Sequence, residues 1–167
     1  MRERKVSSMG RLRDVVAYIC GNYPYQDELS NARVTKMVYL ADWRFAITRG
    51  KQLTNLEWEF SHYGPYVNDV IRIAEADPAF KIVSTRNPYG GQKDLLQVAD
   101  DVAYPSVTDG EKELLDFVIS TSASKNWDDF IKLVYSTYPI VTQERFSKLD
   151  LVGLAEKYEE SIPLLDP

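Results

Sequence analysis

Cysteine and histidine are almost missing from this chain: Cys20 and His62 are the only ones among its 167 residues. One cysteine excludes an intramolecular disulfide and fits a reducing compartment. One histidine excludes a histidine-cluster metal centre, and neither metal nor cofactor is expected. The sequences G-x-S-x-G, H-E-x-x-H and G-x-G-x-x-G are absent, so the common hydrolase, metalloprotease and dinucleotide signatures are not found. No apolar run reaches the length of a membrane helix. The basic start Met1-Arg2-Glu3-Arg4-Lys5 leads into an amphipathic stretch, not an apolar signal core. A cytoplasmic protein with no membrane partner is the expectation.

Linkers and repeats are missing too. One domain over residues 1–167 is expected, with a core at roughly 10–160 and a basic N-terminal arm at 1–8. A chain of this length buries roughly 68–70% of its unfolded surface, enough to fold without staples. Positive charge is in deficit: 20 Lys and Arg stand against 25 Asp and Glu, a net charge of −5. That balance disfavours nonspecific nucleic-acid binding, which depends on neutralising phosphates. The charge is uneven, with Arg2, Arg4, Lys5, Arg11 and Arg13 near the start and Asp150, Glu156, Glu159, Glu160 and Asp166 near the end.

Aromatic residues are abundant: 11 Tyr, 6 Phe and 3 Trp. The fold expected is mainly α with a small antiparallel hairpin, a helical bundle around a buried central helix. The first helix is read from about Met9 to Cys20, capped by Ser7 or Ser8 and stopped by Gly21, with Met9, Leu12, Val16, Ile19 and Cys20 on one face. The second runs from a cap at Ser30 or Asn31 to Gly50. Val34, Met37, Val38, Tyr39, Leu40, Ala41, Trp43, Phe45, Ala46 and Ile47 surround it, and a helix apolar on all sides is buried.

Its charged residues therefore need partners. Lys36 and Asp42 are about 240° apart around the helix and cannot pair with each other. A buried Asp42 must be satisfied by another segment. Lys36, Tyr39 and Trp43 form a stripe of one charge and two rings.

Glu57-Trp58-Glu59-Phe60 alternates as a short strand. His62-Tyr63-Gly64-Pro65-Tyr66 reads as a turn, with Pro65 opening a helix that Asp77-Pro78 closes. Residues 80–85 and 94–98 form a hairpin across Asn87-Pro88-Tyr89-Gly90-Gly91. Thr108-Asp109-Gly110-Glu111 is a capping box for a helix bearing Leu114, Leu115, Phe117, Val118 and Ile119. Another helix spans about Asn126 to Tyr135 with Trp127, Phe130, Ile131 and Val134 inward. Asp150 caps the last, with Leu151, Leu154, Ala155 and Tyr158.

Three functional classes are left by the residues. A protein-binding module is favoured, because Tyr and Trp anchor interfaces and the His62–Tyr66 segment lies in a turn. A nucleic-acid-binding regulator would use the 80–98 hairpin, with Arg86 and Lys93 near its tip, as a wing, and Arg11 and Arg13 in a basic arm. An enzyme would draw on Glu57 and Glu59, which share a strand face, on Asp42, or on a Cys20–His62 dyad. The expectation is that the chain is not an enzyme.

The run Val34-Thr35-Lys36-Met37-Val38-Tyr39-Leu40-Ala41-Asp42, then Gly50, then Trp58-Glu59-Phe60-Ser61-His62-Tyr63-Gly64-Pro65-Tyr66, resembles the Panacea (SocA-like) antitoxin domain. That family shows a K-x-x-Y-x-A-D-like helix, a glycine and an aromatic segment ending in G-P-V. The resemblance covers roughly residues 10–160. Tyr66 stands where the family usually has valine, and Val134-Tyr135 takes the place of a late histidine.

The resemblance implies an antitoxin or adaptor, typically phage- or mobile-element-associated, that binds a cognate toxin encoded nearby. One branch is similar to adaptors that deliver a toxin to a ClpXP-type protease. Neutralisation is then by occlusion or by delivery, and self-association into a homodimer is left open. The partner surface is expected at Lys36, Tyr39, Asp42, Trp43, Trp58, Phe60, His62, Tyr63, Gly64, Pro65 and Tyr66. The alternative is structural: Lys36, Tyr39 and Asp42 tie the central helix to the Gly64-Pro65 turn, with Asp42 accepting N–H groups from the next helix.

Overall fold

The computed structural model describes residues 8–162, which form seven α-helices and two antiparallel hairpins. The N-terminal cap at Ser7, most of the basic arm and Asp166 lie outside the described residues. Helix α1 spans Ser8–Asn22 and α2 spans Asn31–Arg49, with a short 3-10 turn at Gln26–Glu28 between them. Gly21 does not stop α1. The helix continues to Asn22, whose side-chain amide donates to the Tyr18 carbonyl, and Met9 is exposed instead of sharing the buried face.

Helix α2 is the hub. Ser30 Oγ accepts the Arg33 N–H at 3.1 Å, capping its start. Gly50 ends it in the left-handed region, with φ 72°, and returns its N–H to the Ala46 carbonyl. Val34, Met37, Val38, Tyr39 and Ala41 are fully enclosed, with Leu40 and Ile47 half-buried. Helices α1, α4 (Asp109–Ala123) and α7 (Leu151–Ser161) pack around α2, as do α3 (Asp69–Ala76) and both hairpins. Each enclosed Leu, Val or Met removed from water stabilises the fold by roughly 1.5–3 kcal/mol.

The capping box on α4 forms as the sequence suggests, with Thr108 and Glu111 satisfying each other's backbone N–H groups. Glu111 also pairs with Arg11 of α1, joining the first helix to the start of the fourth. Burial alone would raise the Glu111 pKa, but the Arg11 hydrogen bond and the Thr108 N–H together bring it below the ordinary range.

Strand β1 (Glu59–Ser61) pairs with β2 (Gly64–Tyr66), matching Phe60 with Pro65, around the two-residue turn His62-Tyr63. Pro65 is thus in a strand and opens no helix. Gly64, at φ 97°, turns the chain back, and it stays extended until Asn68 precedes α3 at Asp69. The far edge of β1 is covered by the 146–149 segment, through Phe60 N–H to the Ser147 carbonyl at 2.9 Å and Leu149 N–H to the Trp58 carbonyl at 2.8 Å. Strands β3 (Phe80–Arg86) and β4 (Gln92–Val98) form the second hairpin, docked on the 3-10 turn by Leu96 N–H to the Leu29 carbonyl. Helix α5 (Trp127–Tyr135) leads into the short α6 (Tyr138–Thr142), which the sequence reading did not anticipate.

Candidate partner-binding cleft

Three elements meet around Lys36. Helix α2 supplies the floor with Ala32 and Lys36. The β1–β2 hairpin supplies one wall with Ser61, Tyr63 and Tyr66, and α5 the other with Trp127, Ile131 and Tyr135. The three residues of α5 fall at i, i+4 and i+8, along one face of the helix. They enclose an apolar cleft of about 350 Å³, at the small end of ligand-sized pockets.

The hairpin is held close to α5 because Gly64 has no side chain. A Cβ there would sit 3.3 Å from the Tyr135 ring. Phe60 meets the same ring edge-on, with centroids 6.4 Å apart. Ser61 Oγ donates to the Gly64 carbonyl at 2.9 Å, closing the turn, and Asn31 Nδ2 donates to the Tyr66 hydroxyl at 3.4 Å.

Lys36 is 3% exposed, and its ammonium makes neither a hydrogen bond nor an ion pair within the described residues. No carboxylate lines the cleft. Burial lowers the Lys36 pKa to about 8. At neutral pH the group is still mostly a cation, in apolar surroundings without a counter-ion.

The other predicted site residues divide sharply. Asp42 is fully buried and belongs to the fold: it accepts from Thr54 N–H at 2.8 Å, Thr54 hydroxyl at 2.6 Å, Trp58 Nε1 at 2.8 Å and Gln52 Nε2 at 3.2 Å. Burial raises its pKa to about 6 against the pull of these donors. It does not cap the Gly64-Pro65 segment; the loop that follows Gly50 satisfies it. Tyr39 is enclosed, its hydroxyl 2.8 Å from Thr137 Oγ1 and its ring edge-on to Trp58. Trp43 stacks on Tyr138 and meets Tyr158. The Lys36–Tyr39–Trp43 stripe is therefore no outer surface. Lys36 alone reaches the cleft, while Tyr39, Trp43, Trp58, Phe60 and Pro65 are core.

His62 and Tyr63 stand at the hairpin tip, with Tyr63 75% exposed. His62 contacts the Tyr63 ring at 4.8 Å and stacks on Phe146 at 6.4 Å. Phe146 is 75% exposed and carries φ 70°, a left-handed conformation costly for a bulky side chain. Trp127, expected inward, is 42% exposed on the opposite lip, with the Arg33 guanidinium 5.7 Å from its ring. It shares the side of the helix that carries Phe130, whose ring lies 6.1 Å away, but as the first residue of α5 it is covered on one side only. Trp127, Ile131 and Tyr135 are not among the expected site residues; their sequence signals are the four-residue spacing and, for Tyr135, its place in the Val134-Tyr135 pair that stands for the late histidine.

Of the cations behind the nucleic-acid reading, Arg11, Arg13 and Lys93 are engaged within the fold, whereas Arg86 is exposed. Arg13 binds Asp14 and Asp77, and Arg11 is held by Glu111 and by the Leu53 and Ser106 carbonyls. Lys93 donates to the Asp27 carbonyl. Cys20 is enclosed in α1, where burial pushes its thiol up to about 12, whereas His62 is exposed on the β1–β2 turn. Glu57 and Glu59 are both exposed, and Glu57, expected in the strand, precedes β1.

No curated protein and no solved structure matches this chain. Residues 34–139 match the family model described as antitoxin SocA-like, Panacea domain. The match takes in most of α2, both hairpins, α4 and α5, and so every residue of the cleft except Ala32. Of the positions where the sequence departs from the family pattern, Tyr66 and Tyr135 line the cleft and Val134 is core. A match over well more than half of its length, centred on the buried helix and the cleft beside it, places this chain in the SocA-like Panacea antitoxin family.

Proposed function

We propose that this chain neutralises a toxin encoded beside it by binding the toxin through the cleft between the β1–β2 hairpin and α5. The observation that carries this reading is Lys36, a side chain 3% exposed whose unpaired ammonium opens into the cleft beneath exposed aromatic lips. A cation with little water and no counter-ion is under-solvated, and a partner group that pairs with it recovers that loss. Tyr63 and Trp127 supply the large, rigid surfaces that dominate binding energy at interfaces. Neutralisation in the cytoplasm, by covering the toxin's working surface or by delivering it to a protease, needs no bond chemistry from this chain.

Co-expression tests it. The adjacent reading frame alone should arrest growth, and this chain should restore growth and co-purify with the product. No rescue and no complex would refute the proposal. Toxin abundance then separates the two modes of action. Occlusion leaves the level unchanged, whereas delivery to a ClpXP-type protease lowers it and requires that protease.

A further inference from the structure

Resting on that binding reading, we propose that the cleft is a socket for one acidic side chain, a Glu or Asp flanked by apolar residues on the bound partner, with Lys36 as its counter-ion. The charge is what selects this occupant. Lys36 offers a single positive point charge at the floor, and the remaining lining is aromatic or aliphatic apart from the Ser61 hydroxyl, which already donates to Gly64, and the hydroxyls of Tyr63, Tyr66 and Tyr135. Asp42, the nearest acid on the same helix past Lys36, is turned to Thr54, Trp58 and Gln52.

A carboxylate brings one negative charge and is neutralised one to one. A phosphate brings nearly two, and one lysine with no arginine beside it in the lining would leave the second charge without a counter-ion. The aromatic surface argues for a partner that extends past the cleft. Tyr63 and Trp127 rise on opposite lips, and the surface continues from Tyr63 through His62 to Phe146. A small acid filling about 350 Å³ would leave those rings in water, and a chain ending in the cleft would cover one lip only. An acidic residue within a longer apolar surface covers both.

Protonation sets a dependence on pH. The titratable groups facing Lys36 are Tyr63 and Tyr66 from the hairpin and Tyr135 from α5. Binding requires the ammonium, so affinity holds up to about pH 8 and falls as pH rises beyond it.

Capped peptides test the socket on the full chain: Ac-Phe-Glu-Phe-NH2, its Gln counterpart, the Gln peptide with a free C-terminal carboxylate, and phenyl phosphate, followed by NMR of the lysine side chains. The Glu peptide should shift the Lys36 signals and bind about tenfold or more tighter than the Gln peptide. K36M and K36Q, both checked for folding, should lose that preference. Equal binding of the Glu and Gln peptides, no binding by either, or a preference kept in the variants would overturn the proposal. Tighter binding of the free-terminus peptide or of phenyl phosphate would overturn the acidic side chain as occupant. The antitoxin reading is judged separately. If growth rescue fails while the Glu peptide still binds through Lys36, that reading falls and the socket stands. If rescue and complex survive K36M undiminished, the socket falls and the antitoxin stands.

Discussion

Two buried charges six residues apart on α2 show how differently one helix can use ionisable groups. Asp42 is surrounded by donors and belongs to the fold; Lys36 is surrounded by rings and does not. Asp42→Asn should destabilise the protein by about 2–3 kcal/mol in chemical denaturation at neutral pH, because an amide NH2 must then face a Thr54 or Trp58 donor. The wild-type carboxyl holds its proton up to about pH 6, above its unfolded value of 3.8. Its contribution therefore makes stability fall as pH rises through that interval, and D42N should flatten the slope.

Lys36 has the opposite sign. Its folded pKa of about 8 lies below the unfolded 10.5, so the folded state binds fewer protons between the two and stability rises with pH there. Lys36→Met removes the unpaired charge and should stabilise the protein by about 2–3 kcal/mol at pH 7, several degrees in Tm. The comparison is read as wild type minus variant, since Tyr18, Tyr23 and Tyr39, whose pKa values burial raises, pull the other way above about pH 10. A stabilising substitution that also abolishes binding would mark Lys36 as kept for recognition.

At the scale of elements, the β1–β2 hairpin is the most constrained piece of the site. Its outer edge is covered by residues 146–149 and its turn lies against Tyr135. Gly64→Ala adds a Cβ at φ 97° and 3.3 Å from that ring. We expect a loss of about 1–2 kcal/mol in thermal or chemical unfolding, with the hairpin pushed off α5 and the cleft widened. The first part of this geometry was legible in the sequence: Trp58 and Phe60 alternate inward, and Gly-Pro signals a change of direction. The direction itself was not. Pro65 suits a helix start and a strand edge equally well, and only pairing with Glu59–Ser61 selects the strand.

For the whole molecule, the exposed rings are where stability and function should separate. Tyr63→Ala and Trp127→Ala remove side chains already 75% and 42% exposed, so each should change stability by less than about 1 kcal/mol. Each should nonetheless weaken the toxin complex, measured by calorimetry, by about tenfold or more. Tyr39→Ala, which empties an enclosed site beside Trp58, should instead cost about 3–5 kcal/mol and lose binding only through unfolding. If the exposed-ring variants bind as wild type does, the cleft is not the interface.

What the sequence determined by itself is the central helix, its start at Ser30 or Asn31 and its stop at Gly50, the 80–98 hairpin and the Thr108 box, because apolar periodicity, capping chemistry and turn residues act within a few positions of one another. Tertiary structure alone decided which polar and aromatic residues face outward. Lys36, Tyr39 and Trp43 look equivalent along α2, but Thr137, Trp58, Tyr138 and Tyr158 close over the two rings while the hairpin and α5 stand apart over the lysine. Burial is set by neighbours distant in the chain, and no local pattern specifies where those neighbours leave a gap.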